Sequence, residues 1–265
     1  MNYTGIDDLT VTLDDGVLSL TFNRPDSLNS LTEAMLTTAA DTLERAATDP
    51  QVKVVRLRGA GRGFSSGAGI SAEDQAAATI SSDVDPLLAE ANRTVRAIAA
   101  LPKPVVAVVH GPAAGVGVSL ALVCDVVLAS EKAFFLLAFT KIGLMPDGGA
   151  SALVAAAIGR IRAMRMALLA ERISAAQAFE YGLVSAVYPP GDLESAADAV
   201  IATLVSGPAA ALRKTKQAIN AATLTELDAA IDRETEGQLG LIHSRDFVEG
   251  TKAFQQRRAA NFTDV

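Results

Sequence analysis

Apolar residues dominate positions 9–13 and 17–22, and the two stretches flank Asp14-Asp15-Gly16, so the pattern predicts a β-hairpin closed by a tight turn. Asn23-Arg24-Pro25 ends the second strand. From Thr32 the apolar period lengthens to that of a helix: Leu36, Ala39, Ala40, Leu43 and Ala47 share one face of a segment that runs to about Thr48, with Thr32 at its N-cap. Residues 53–57 are a short β-branched run that predicts a buried strand. A glycine-rich loop over 59–69 and a polar segment to about residue 85, which reads as a mobile connection, come next. The pattern then predicts a helix over 87–100, a strand over 105–109, a turn, a helix from about 115 to 123 and a strand over 125–129. Beyond Asp147-Gly148-Gly149 it is helical, apart from a strand near 184–188, and from Asp192 to Phe262 it reads as helices alone. The repeated succession of strand, glycine loop and helix predicts an α/β fold with its loops at the strand ends. Pro189-Pro190-Gly191 divides it into a core over 1–191 and a helical region over 192–265.

Composition narrows the function. The chain has 265 residues, half of them apolar and one fifth charged, enough for one large core. A formal net charge of -7 with no cluster of Lys and Arg argues against a nucleic-acid surface. The single cysteine, Cys124, in what reads as an apolar helix, excludes an internal disulfide framework. With two histidines and no His-Glu-x-x-His, no catalytic metal is expected. These features fit a reducing cytoplasm, and residues 1–9 carry Asp7 and Asp8 but no secretory apolar stretch. The uncharged run 104–124 approaches a membrane span in length, but His110-Gly111-Pro112 breaks it into strand, turn and helix, so no membrane is expected.

Three segments could carry chemistry. Gly63-Phe64-Ser65-Ser66-Gly67-Ala68-Gly69-Ile70 lets the backbone approach a ligand with its N–H groups free, or is a plain loop. His110 to Gly117 is a small-residue turn opening a helix, where orphan amides favour developing negative charge, or where small residues simply allow tight packing. Gly143-Leu144-Met145-Pro146-Asp147-Gly148-Gly149 sets one carboxylate in an apolar stretch. That raises its pKa as a catalytic base requires, unless Asp147 caps the following helix.

Taken together, these segments resemble the crotonase (enoyl-CoA hydratase/isomerase) superfamily over nearly the whole chain. Asn23-Arg24-Pro25 with Leu28-Asn29-Ser30-Leu31 is similar to its N-terminal signature. Residues 63–70 and 110–120 are similar to its two oxyanion loops, and Glu249-Gly250 through Phe254, Arg257-Arg258 and Asn261-Phe262 to its C-terminal end. The resemblance implies a spiral of ββα units followed by a C-terminal helical trimerisation region, with homotrimers commonly paired into hexamers. It implies an acyl-CoA thioester substrate, with CoA as part of the substrate and no separate cofactor. The amides of Ala68 and Val116 would hold the thioester oxygen. Leu28, Ser66, Ala68, Gly69 and Ile70 would flank the CoA, and Phe254 and Arg257 would reach the nucleotide end of a neighbouring subunit's ligand. At Gly69 many relatives carry Asp.

The departures from that pattern shape the expected reaction. Hydratases of the family use two glutamates to hold and activate water, and here those positions carry Ser119 and Phe139, expected in the substrate pocket. Asp147 remains, where several isomerases of the family keep an acidic residue. The segment 138–149 most resembles isomerases of the phenylacetyl-CoA pathway and 3-enoyl-CoA to 2-enoyl-CoA isomerases. The reading is therefore an enoyl-CoA isomerase. An impaired hydratase and a non-catalytic acyl-CoA-binding protein are alternatives. A serine hydrolase, built from the G-x-S-x-G pattern at Ser65 with Asp228 and His243, is a remote one.

Overall fold

The computed structural model describes residues 3–70 and 85–264, so the polar connection read between residues 70 and 85 falls on 71–84, outside the described residues. The hairpin forms as the pattern requires: β1 (Leu9–Asp14) pairs antiparallel with β2 (Val17–Phe22). Asp15 and Gly16 turn the chain with φ of 45° and 84°, the left-handed geometry that matches the twist of a two-residue hairpin loop. Helix α1 (Glu33–Thr48) starts where Thr32 accepts a hydrogen bond from the Met35 amide at 3.3 Å.

β2 then pairs in parallel with β3 (Val54–Gly59). β4 (Val105–Val109), β6 (Val126–Ser130) and β9 (Ala186–Tyr188) extend the sheet in the order β1-β2-β3-β4-β6-β9. Helix α2 (Pro86–Ala100) links β3 to β4 and packs on α1. A second sheet stands beside the first. β5 (Pro112–Ala114) pairs in parallel with β7 (Phe134–Leu136), and β8 (Ile173–Ser174) is antiparallel to β7. From β4 to β7 each pass of the chain leaves one strand in the large sheet and one in the small, with helix α3 (Val116–Leu122) between passes. That alternation is the ββα spiral expected from the resemblance.

The structure corrects the pattern reading at several points. Residues 112–114, read as a turn, form β5, and β7 and β8 went unread because two- and three-residue strands leave no period to detect. Cys124 lies past the end of α3 rather than within it, buried, with its thiol donating to Leu120 O at 3.2 Å.

The chain continues through α4 (Ala150–Leu168) and α5 (Ala175–Tyr181) to α6 (Leu193–Ser206). α6 lays Leu193, Ala197 and Ile201 on Val54, Val106, Val108 and Leu128 of the large sheet, so the first helix beyond residue 192 covers the core. Helices α7 (Ala209–Thr223), α8 (Leu227–Ile242) and α9 (Arg245–Gln255) follow. Among the described residues no single helix is long and apolar enough to cross a membrane.

Candidate active site

Asn29 organises the first glycine loop. Fully buried and left-handed at φ 58°, it donates through Nδ2 to Ala60 O at 2.9 Å and Gly63 O at 2.8 Å, while its Oδ1 accepts from the Arg24 amide at 2.9 Å. The loop is then zipped along residues 28–31: Ser66 N–H donates to Leu28 O at 2.9 Å, Leu31 N–H to Gly67 O at 2.8 Å and Gly69 N–H to Leu31 O at 3.2 Å. Phe64 pins it from below, its ring edge-on to Phe22 with centroids 5.8 Å apart. The parallel bridge between Leu31 and Ala68 takes its hydrogen bonds from the residues on either side of Ala68, which turns the Ala68 N–H to the opposite side.

On that opposite side lies the second loop. Ser65 bridges to Ala113, and Gly67 and Gly115 approach so closely that a Cβ on Gly67 would sit 2.8 Å from Ala114 O. Both are left-handed, at φ 87° and 54°, a combination of sterics and backbone that only glycine meets without strain. The residue after each is Ala68 and Val116, so the two amides expected to form an oxyanion hole emerge from adjacent turns. Val116 is the first residue of α3, where the N–H has no acceptor within its own helix.

The segment that carries Asp147 packs on the helix that follows the second loop. Gly148, φ 63°, fits so tightly that a Cβ there would lie 2.9 Å from Val116 Cγ2 and 3.2 Å from Ser119 Cβ. Ser119, expected in the substrate pocket, is fully buried beneath this turn and donates to Asp147 O at 2.9 Å. Phe139 is nearly buried, its ring against Gly115: a Cβ there would lie 3.8 Å from Cζ.

The Asp147 carboxyl does not cap α4. The N-cap is Gly149, and the amides of Gly149 and Ser151 donate instead to Glu234 of α8 at 2.6 and 2.8 Å. Asp147 Oδ2 accepts from Gln238 Nε2 at 2.7 Å, whereas Oδ1 is buried with no hydrogen-bond partner among the described residues. Although the residue as a whole is partly exposed, burial of the carboxyl pushes its pKa up to about 7. The Gln238 hydrogen bond opposes the rise, and the charges of Glu234 and Asp85 add to it. Glu234 is raised above its ordinary value by burial too. Sequence reasoning missed Glu234 and Gln238. Their signal is two polar residues four apart on one face of a helix, buried, but nothing local reveals that the face is turned inward.

The positions expected to flank the CoA fall into two groups. Leu28, Ser66, Ala68, Gly69 and Ile70 lie along one rim, with Leu28 left-handed at φ 55° and Ser66 Oγ donating to Ser27 O at 2.9 Å. Phe254 and Arg257 are exposed at the end of α9, beside Gln255, whose Nε2 donates to Ile70 O of the same chain at 3.0 Å. The C-terminal helix therefore contacts the end of the first glycine loop of its own chain. It is seated by Gly143 and Gly250, where added Cβ atoms would lie 2.7 Å from Asp246 C and 2.6 Å from Ile142 C.

The rival readings fare differently. Ser65 is fully buried, donates to Asn29 O at 2.9 Å and accepts from the Gly67 amide, and Asp228 pairs with Arg96, so no hydrolase triad assembles. Among the described residues no group of three or more His, Cys, Asp or Glu is placed to hold a metal ion.

Paired sheets laid down turn by turn, with a helical C-terminal region, define the class: this is a crotonase-fold protein. The crystal structure of an enoyl-CoA hydratase from Mycobacterium avium subsp. paratuberculosis K-10 matches it at a TM-score of 0.91 and 67% identity, over 98% of this chain and 100% of that one. Residues 12–265 match the enoyl-CoA hydratase/isomerase family. The 1,2-epoxyphenylacetyl-CoA isomerase of Escherichia coli K12 is 38% identical over 252 residues, 95% of this chain and 96% of that protein. The probable enoyl-CoA hydratase of Rhodobacter capsulatus is 38% identical over 253 residues, with the same two shares. The chain is an enzyme of the enoyl-CoA hydratase/isomerase family.

Proposed function

We propose that the protein is an enoyl-CoA isomerase that moves a double bond along an acyl-CoA thioester with Asp147 as its single acid–base group. The observation that carries this reading is the Asp147 carboxyl: buried, without a partner at Oδ1 among the described residues, raised to a pKa of about 7, and carried on a turn whose Gly148 packs against the helix that begins at Val116. A base with that pKa takes a proton and gives it back with little bias near neutral pH. Asp147 removes the proton on the α-carbon of a 3-enoyl-CoA, and the charge moves onto the thioester oxygen between the Ala68 and Val116 amides. The same carboxyl then returns the proton at the γ-carbon, leaving the 2-enoyl-CoA. Each amide so placed stabilises the dienolate by about 2.7–4 kcal/mol.

Hydration asks for a carboxylate pair to hold and activate water. Ser119 and Phe139 supply neither, and the Phe139 ring keeps the space beside Gly115 apolar. The CoA portion runs along Leu28, Ser66, Ala68, Gly69 and Ile70 toward Phe254 and Arg257. Arg257 offers a donor fork suited to phosphate. Exposed Ile161, Leu168, Leu169 and Phe179 on and beside α4 and α5 support assembly into trimers.

The test compares wild type and Asp147→Asn with a 3-enoyl-CoA substrate, following formation of the conjugated thioester. The expected loss is about 10²–10⁴-fold, the usual worth of a general base. In the wild type kcat/KM falls as the pH drops through about 7, because only the ionised carboxylate can accept the proton. A folded Asp147→Asn variant that keeps its activity removes Asp147 from this role. Water addition to a 2-enoyl-CoA at a rate above isomerisation reassigns the enzyme as a hydratase.

A further inference from the structure

The two oxygens of Asp147 are not equivalent, and the cause lies on α8. Gln238 is almost fully buried and touches the 145–147 segment twice: its Oε1 accepts from the Met145 amide at 3.2 Å, and its Nε2 donates to Asp147 Oδ2 at 2.7 Å. The Met145 N–H can only donate, so the amide oxygen must face it and the amide nitrogen must face Asp147. A flipped amide would set donor against donor at one end and acceptor against acceptor at the other. An Nε2 hydrogen occupies Oδ2, so a proton on the carboxyl belongs on Oδ1, which is buried and without a partner among the described residues.

We infer that Gln238 is a positioning residue: it locks the rotation of the Asp147 carboxyl and reserves Oδ1 as the oxygen that carries the proton. The inference rests on Asp147 being the base proposed above, but it concerns the carboxyl itself and can be read without turnover. Gln238 does not touch the reacting carbon; it acts through Asp147. Its hydrogen bond favours the ionised carboxylate, and it works against burial and against the charges of Glu234, four residues earlier on α8, and of Asp85 at the head of α2. Deleting the donor therefore raises the pH at which the carboxyl ionises.

The test is an infrared titration of the protonated-carboxyl C=O band in the full-length protein. The Asp147 band is identified as the one missing from Asp147→Asn. In Gln238→Met the midpoint is expected to move up by about one pH unit, the size a hydrogen bond to a charged group carries. Gln238→Glu, which keeps the shape of the side chain, guards against a Met variant that fails to fold. It replaces the donor by a second carboxyl and is expected to move the midpoint up as well. In isomerase assays of both variants the acidic limb of the kcat profile follows the midpoint, kcat falls about tenfold, and KM stays within about twofold. An unmoved midpoint in a folded variant overturns the assignment, whatever its melting temperature, because a merely structural residue shifts stability without shifting the titration. If the midpoint moves while the wild type isomerises nothing, the positioning role stands and the isomerase reading falls.

Discussion

At the residue scale, the feature that suits Asp147 to proton transfer weakens the fold. Its carboxyl ionises near pH 7 in the folded protein against an ordinary value of 3.8, so between these limits the folded state binds the proton more tightly than the unfolded one. The contribution to stability is fully present below the unfolded value and is lost as the pH rises through about 7. At pH 8 the protein carries a buried carboxylate that Asp147→Asn lacks, and the variant should be more stable there by about 1–3 kcal/mol, or roughly 2–4 °C of Tm per kcal/mol. The advantage should vanish near pH 4, and thermal melts across that range measure it. Asp147 was legible in the sequence because a lone acid in an apolar run is conspicuous. What was not legible is that the carboxyl does not cap α4, because Glu234, 85 residues beyond Gly149, takes the helix amides.

At the scale of elements, α8 acts as a brace for the 145–151 segment. Glu234 bonds the amides at the head of α4 while Gln238 bonds Met145 and Asp147, so a single helix face fixes both the turn and the carboxyl. Glu234→Ala would leave the Gly149 and Ser151 amides without their acceptor, and urea denaturation should show a loss of about 2–4 kcal/mol. Elements of this kind differ in how well the sequence announces them. The hairpin was readable from Asp14-Asp15-Gly16, and α1 from its apolar stripe and Thr32. Strands β5, β7 and β8 were not, because they are two or three residues long and owe their existence to partners distant in the chain. The buried face of α8 was hidden for a related reason: glutamate and glutamine are ordinarily surface residues, and only the loop they hold explains their burial.

At the scale of the whole molecule, the helical C-terminal region is tied to the sheet by an ion pair whose lysine is buried and whose aspartate is partly exposed. Lys216 of α7 meets Asp125 at 2.9 Å, at the entrance to β6, and also donates to Ile98 O at 2.9 Å at the end of α2. Asp125 in turn accepts from the Val105 amide of β4 at 2.7 Å. One ammonium group thus joins a helix of the C-terminal region to the ends of three core elements. Lys216→Met removes the cation from a half-buried carboxylate and leaves the Ile98 carbonyl without its donor, and should cost about 1–3 kcal/mol, read from chemical denaturation. The order of the α/β core was legible from the alternation of strand, glycine loop and helix, and the fold family from motifs in sequence order. The placement of α9 was not, because Gly143 and Gly250, which let it seat against the 139–142 turn, are silent until the two segments are seen together.

The isolation of Asp147 Oδ1 has a stereochemical consequence. On the reading proposed for Asp147, an oxygen with no hydrogen-bond partner among the described residues offers the hydrogen lifted onto it no second acceptor there, and its return to the molecule it came from is the expected course. Departure and return then take place on one side of the carbon skeleton, and the hydrogen delivered to the far carbon is the very atom withdrawn from the near one. The enzyme would thus keep a memory of each isotope it handles.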